Sequence, residues 1–122
     1  MMMGFFSSSP EKEIKKMIDA LEPVAELSDD AIATWKGGIP IYDKSISKVF
    51  ERKLSDFWID QNYLENKKII GEKKIEEFEL DELKTAITAF WRMERFSYGA
   101  WASSIQEGFI TKFRNRLIEL KN

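Results

Sequence analysis

The stretch Leu80-Asp81-Glu82-Leu83-Lys84-Thr85-Ala86-Ile87-Thr88-Ala89-Phe90-Trp91-Arg92-Met93-Glu94 decides the fold. Leu83, Ile87, Phe90, Trp91 and Glu94 recur at the three- and four-residue spacing that gathers side chains on one side of an α-helix, with Leu80 just ahead of it. The acidic run Glu76, Glu77, Glu79, Asp81 and Glu82 ends at the helix start, where negative charge suits the dipole. That run lacks the spacing and glycine of a calcium loop. A helix over 81–94 with such a stripe needs covering, and the flanking sequence supplies the cover.

Downstream, Ser97 is placed to cap a short helix through Glu107, which Gly108 stops, since glycine takes a left-handed C-terminal conformation without steric cost. A last helix runs from Phe109 to Leu120, with Phe109, Ile110, Phe113, Leu117 and Leu120 inward. Upstream, Ser8 or Ser9 before Pro10 reads as a helix start, and Ser8 with Glu11 as a capping box. Ile14, Met17, Ile18 and Leu21 form its buried stripe, and Pro23 is expected to end or kink the helix near Leu21, leaving Val24 to Leu27 as one further turn. Asp43 or Ser45 opens a second helix with Ile46, Val49, Phe50, Leu54, Phe57 and Trp58 on one face, closed near Asp60-Gln61-Asn62. Between the first two helices, Gly37-Gly38 is a turn and Ile39-Pro40-Ile41-Tyr42 is extended, because the residue before proline disfavours helix. Residues 65–79 are charge-dense, with Ile69, Ile70, Ile75 and Phe78 as anchors, and read as a loop with one partial helix or a short extended piece. The expected fold is therefore mainly α: a single compact domain of four or five helices, with room for a small two-stranded β element near residues 31–42. Residues 1–9 read as a flexible N-terminus and 10–122 as one helical domain.

Composition bounds the chemistry. A chain of 122 residues has space for one ordinary core. It contains no cysteine, so disulfides, thiolate nucleophiles and zinc–thiolate sites are excluded. It contains no histidine, which removes the usual general base near neutral pH and the commonest metal ligand. The expectation leans away from an enzyme, and no cofactor is expected. The start at Met1 lacks a basic segment and has too short an apolar run for a signal peptide, so the expected location is the cytoplasm. Were translation to begin at Met3, Gly4 and Ser8 would fit the weak myristoylation pattern M-G-x-x-x-[ST]. Net charge is −2, unevenly spread: residues 92–122 hold six basic and three acidic side chains. That quarter is where an anion would be drawn.

The run Leu83-Lys84-Thr85-Ala86-Ile87, then Arg92-Met93-Glu94-Arg95-Phe96-Ser97-Tyr98-Gly99, then Glu107-Gly108-Phe109-Ile110 and Arg116-Leu117 resembles a family of small bacterial domains of unknown function. That family is marked by Arg-x-x-Arg-Phe-x-x-Gly, a following Gly-x-Ile and a final helix rich in Leu and Arg. Trp35-Lys36-Gly37-Gly38 and Ile39-Pro40-Ile41-Tyr42 with Ser45 resemble its upstream segments more loosely. Family members often have Cys-Glu where this chain has Ser97-Tyr98, and His or another polar residue near Trp101. The resemblance implies fold and kinship and carries no reaction.

Candidate binding residues are Arg92, Arg95, Tyr98 and Trp101. On a continuing helix Arg92 and Arg95, three apart, point the same way and form a clamp for a carboxylate or phosphate beside the next helix start. The alternative is a structural Arg95 tying a helix junction to Glu94, Glu107 or an acid from the first half. Trp91, Phe96, Tyr98 and Trp101 read first as core filler, with Tyr98 the most exposed of them. Asp56 and Asp60 stand at i, i+4 without a third ligand, so a solvated face outweighs a metal site. Lys112, Arg114 and Arg116 also read as a solvated face, and a pI near 5.3 argues against nucleic acid. The leading expectation is a non-enzymatic protein-interaction module, the alternative a small anionic-ligand domain for nucleotide or phosphate using Arg92 and Arg95. No membrane partner is expected.

Overall fold

The structure, a computed structural model, describes residues 10–51 and 54–121. The readings made for residues 1–9, including the Ser8 cap and the flexible N-terminus, lie outside the described residues. Among those described, seven α-helices surround one core and a single two-stranded antiparallel sheet stands at one end.

The first helix, α1 (Pro10–Ala25), buries Ile14, Met17, Ile18, Leu21 and Val24 on one stripe. It runs through Pro23, so of the expected end or kink near Leu21 the end does not occur. Proline here forfeits one ladder bond, and the complete burial of Leu21 and Val24 on either side offsets that loss. A short α2 (Asp29–Ile32) leads into β1 (Ala33–Lys36) and β2 (Ile39–Tyr42). The pairing Lys36↔Ile39 leaves Gly37-Gly38 as a two-residue turn, both glycines at positive φ, as a hairpin twisted to match its strands requires. The Asp43 N–H donates to the Ile32 carbonyl, which fixes the alternation of the ladder. Counting back, Thr34 and Ile41 bond while Trp35 and Pro40 face each other without bonds, so Pro40 costs the hairpin no hydrogen bond.

After the hairpin, the expected second helix is cut short. α3 (Lys44–Ile46), opened by the Asp43 carboxylate accepting from the Ser45 N–H, passes into a π-helical turn over Ser47–Glu51. Leu54 and Trp58 are buried as predicted, but from a turn around Ser55 rather than from a helix. Asp56 and Asp60 therefore do not share a helix face. α4 (Tyr63–Ile70) and a 3-10 turn at Ile75–Glu77 occupy the charge-dense region. α5 (Leu80–Met93), α6 (Ala100–Gln106) and α7 (Phe109–Lys121) follow, with Gly108 at positive φ between the last two.

α5 is the central element. Its stripe buries Leu83, Ile87 and Phe90, and Phe90 lies within 4.9–5.9 Å of the rings of Phe50, Trp101 and Phe109. Two further buried residues, Thr85 and Thr88, serve as polar anchors on the same helix. The Thr85 hydroxyl donates to the Asp60 carboxylate, and the Asp60 N–H donates to the Thr88 hydroxyl at 2.9 Å. Asp60 also accepts from the Asn62 N–H and the Asn66 side chain, so it starts α4 and pins it to α5. On α7, the Arg114 Nε donates to the Ile18 carbonyl at 3.0 Å and the Arg116 Nε to the Phe78 carbonyl at 2.7 Å. These arginines are tethers between elements, which corrects their reading as a solvated face.

Burial pushes the Asp60 carboxyl up, but the Thr85, Asn62 and Asn66 hydrogen bonds and the nearby Lys84 outweigh it and hold Asp60 below the usual range. Asp43, through Ser45, and Glu82, through the Glu79 N–H and Lys73, are held down as well. A carboxyl with a depressed native pKa stabilises the fold fully above its unfolded value and loses that contribution as pH falls through the native one. Urea midpoints are therefore expected to hold level from neutral pH to about 4 and to fall below it. Asp60→Asn should make that fall shallower while lowering the midpoint at neutral pH, and an unchanged slope would remove Asp60 from the account.

Candidate functional site

The end of α5 builds a corner from three separate parts of the chain. Past Met93 the backbone winds through two tight turns, with the Phe96 and Ser97 N–H groups both donating to the Met93 carbonyl. It reaches Gly99 at φ +90°, where α6 begins. The first N–H groups of a helix have no partner within it. Here two of the N–H groups at that start are taken by Glu94: its Oε2 accepts from the Gly99 N–H at 2.8 Å and its Oε1 from the Trp101 N–H at 3.0 Å. Ser97, expected as the cap, instead offers its carbonyl to the Ala100 N–H.

Glu94 also receives the Tyr42 hydroxyl at 2.7 Å, and that hydroxyl in turn accepts from the Ala102 N–H at 3.3 Å. Burial, then the hydrogen bond and charge of Glu94, push the Tyr42 phenol far above its ordinary value, so Tyr42 stays a donor throughout the ordinary pH range. One carboxylate thus joins α5, α6 and the hairpin. The hairpin makes a second contact: the Trp35 indole covers Gly99 so closely that a Cβ there would stand 2.7 Å from its Cη2. Gly99 thus combines a positive φ with a close approach, and the approaching group is a strand side chain.

These parts frame an open pocket of about 420 Å³. Its floor is Tyr42, Phe50 and Trp101, all buried; its sides carry Trp91, Tyr98 and the β2 residues Ile39 and Pro40. Among the described residues three charged side chains line it: Glu51, Glu94 and Arg95. Of the four residues proposed from sequence, Arg95, Tyr98 and Trp101 meet here, and Arg92 does not. Arg92 leaves the other side of α5 and lies over the Tyr63 ring at 4.8 Å, beside a second cleft near Asp60. The expected convergence fails because α5 ends at Met93 and Arg95 lies in the turn beyond it. Arg95 is exposed, lies over the Trp91 ring at 5.6 Å, and forms no ion pair among the described residues, so it is not the carboxylate-bound junction arginine.

The aromatic set divides in a way that spacing does not show. Trp101 is 5% exposed, its Nε1 donating to the Phe90 carbonyl at 2.8 Å. Tyr98 is 64% exposed and Phe96 79%, so Phe96, not Tyr98, is the more exposed. Sequence reading missed Tyr42 and Glu51 as parts of this corner and gave Glu94 no role as its clasp. The available signal was a carboxylate five residues ahead of a glycine that starts a helix. Among the described residues no group of acids could hold a metal ion, and no helix is long and apolar enough to cross a membrane.

The fold and corner define a mainly helical single domain with a hairpin docked on the junction of its last three helices. The model of a family of unknown function (DUF6508) matches residues 11–122, and the chain belongs to that family. No curated protein and no solved structure matches it.

Glu94→Ala leaves two helix N–H groups and the Tyr42 hydroxyl without their acceptor. The expected loss is roughly 2–3 kcal/mol in urea unfolding, with Glu94→Gln milder because one carbonyl oxygen remains. Gly99→Ala is expected to cost on the order of 1–3 kcal/mol from positive φ alone, plus the displacement of Trp35. Adding Trp35→Ala should recover the steric part only; full recovery in the melting temperature would refute the φ assignment.

Proposed function

We propose that this domain is a protein-interaction module whose contact surface is the corner between the hairpin and the turn after α5. The observation that carries the reading is where large apolar side chains stay in water. Among the described residues seven such side chains are exposed, and six of them, Trp35, Ile39, Ile41, Met93, Phe96 and Tyr98, belong to the hairpin or to the end of α5 and the turn after it. Scattered exposed apolar residues need no explanation, whereas a group gathered on two adjoining segments suits a contact surface. Tryptophan, tyrosine and arginine are also the residues that carry most binding energy when a partner covers them.

The corner is suited to this role by its support. The exposed rings stand on a backbone held by Glu94 and on a floor of packed aromatics, so little ordering remains to be paid on association. The anionic-ligand alternative has less behind it, since Arg92 leaves α5 towards Tyr63 while Arg95 lies in the turn beyond α5 and shares its pocket with two carboxylates. The reading takes the protein to act in the bacterial cytoplasm.

Affinity capture from the native host with wild type, Phe96→Ser/Tyr98→Ala and Leu64→Ser checks this. All three sites are exposed, so equal melting temperatures are expected. Proteins retained by wild type and Leu64→Ser should be lost with the double variant. The same proteins on all three would sink the reading.

A further inference from the structure

We propose that the pocket at this corner receives a cationic side chain, a lysine presented by the protein partner. The inference rests on the interaction reading for its biological sense, and the chemistry of the pocket names the occupant.

Charge is the first observation. Among the described residues, Glu51 and Glu94 line the pocket against one guanidinium, that of Arg95. The excess is negative, although this part of the chain was the one read as attracting anions. The Glu94 oxygens accept from three donors and Glu51 accepts from the Ser47 hydroxyl. Both acids are held in place by these bonds, and neither is paired with a lysine or arginine among the described residues.

The second observation is the wall. Trp91 and Tyr98 flank the opening above the buried rings of the floor. The negative face of an aromatic ring attracts a cation, most strongly for tryptophan. The molecule already uses this attraction, because the Arg95 guanidinium lies over the Trp91 ring at 5.6 Å. Arg95 therefore occupies the place an incoming ammonium would take. A lysine side chain fits the remainder: its methylenes lie along the aromatic sides and its ammonium reaches the carboxylates.

This assignment makes Arg95 a competitor rather than a clamp, which gives a test of sign. The full chain is titrated with Nα-acetyl-lysine N-methylamide, followed by the indole N–H signals in NMR. Nα-acetyl-norleucine N-methylamide serves as the uncharged control and Nα-acetyl-glutamate N-methylamide as the anionic one. The lysine probe is expected to give saturable shifts where the other two give none. Glu51→Gln should weaken its binding severalfold, and Arg95→Ala should tighten it severalfold. Glu51 and Arg95 are exposed, so melting temperatures close to wild type are expected and are measured alongside. The proposal is overturned if the glutamate probe binds as well or better, if Arg95→Ala weakens lysine binding, or if no probe gives a saturable shift. Partners captured in the lysate experiment alongside a silent lysine probe would reject the cation pocket alone. Specific lysine binding with capture indifferent to Phe96 and Tyr98 would reject the wider contact surface alone.

Discussion

The corner depends on one carboxylate. Glu94 sits one residue past the end of α5 and takes three donors, the Tyr42 hydroxyl and the N–H groups of Gly99 and Trp101. Each of those elements has a reason to need it. α6 is only seven residues long, and a helix that short is marginal without a satisfied end and a packed face. The hairpin has two strands of four residues, too little to stand alone in water. A hydrogen bond to an ionised acceptor is worth more than a neutral one, so a shared carboxylate positions both weak elements.

The packing under this clasp follows the same helix turn. Phe90 precedes Glu94 by four residues and therefore faces the same way. Its ring lies among Phe50, Trp101 and Phe109, and its carbonyl accepts from the Trp101 indole. Trp101 is thus held by Phe90 at its ring and by Glu94 at its backbone. The residue lies at the base of an open pocket yet is almost wholly buried, which makes it floor rather than contact. The aromatic abundance of the chain divides accordingly, with one set filling the core behind the clasp and another standing in water before it.

Elements that declare themselves by side-chain spacing were legible. The stripe Leu83–Ile87–Phe90 placed α5 within a residue at each end, and Gly37-Gly38 with Pro40 marked the hairpin. What failed did so for identifiable reasons. Leu54 and Trp58 continue the helical spacing of Ile46 and Phe50, but a turn buries them just as well, so periodicity could not locate the end of that helix. Pro23 argued for a stop that the burial of Val24 overrode. The roles of Glu94, Arg114 and Arg116 were invisible because their partners include backbone groups and side chains of other elements, up to 96 residues away in the case of Arg114 and Ile18. Spacing rules describe neighbours on one element and say nothing of a carbonyl on another.

The sign of the field at the pocket shows the same limit in electrostatic form. Residues 92–122 carry three more basic than acidic side chains, and that balance suggested an anion site. A segment's charge acts at a point only through the groups that lie near it, since exposed charges beyond about 8–10 Å are largely screened at physiological ionic strength. Arg92 leaves from the other side of α5 to lie on Tyr63, and Arg114 and Arg116 bind carbonyls of α1 and of the turn before α5. Only Arg95 lines the pocket, opposed by Glu94 from its own segment and by Glu51 from one that spacing never linked to it. Among the described residues the pocket is thus lined by two carboxylates and one guanidinium, not by the arginines that the balance of residues 92–122 brought together. The arginine that most resembled an anion ligand becomes the cation already seated on the aromatic wall.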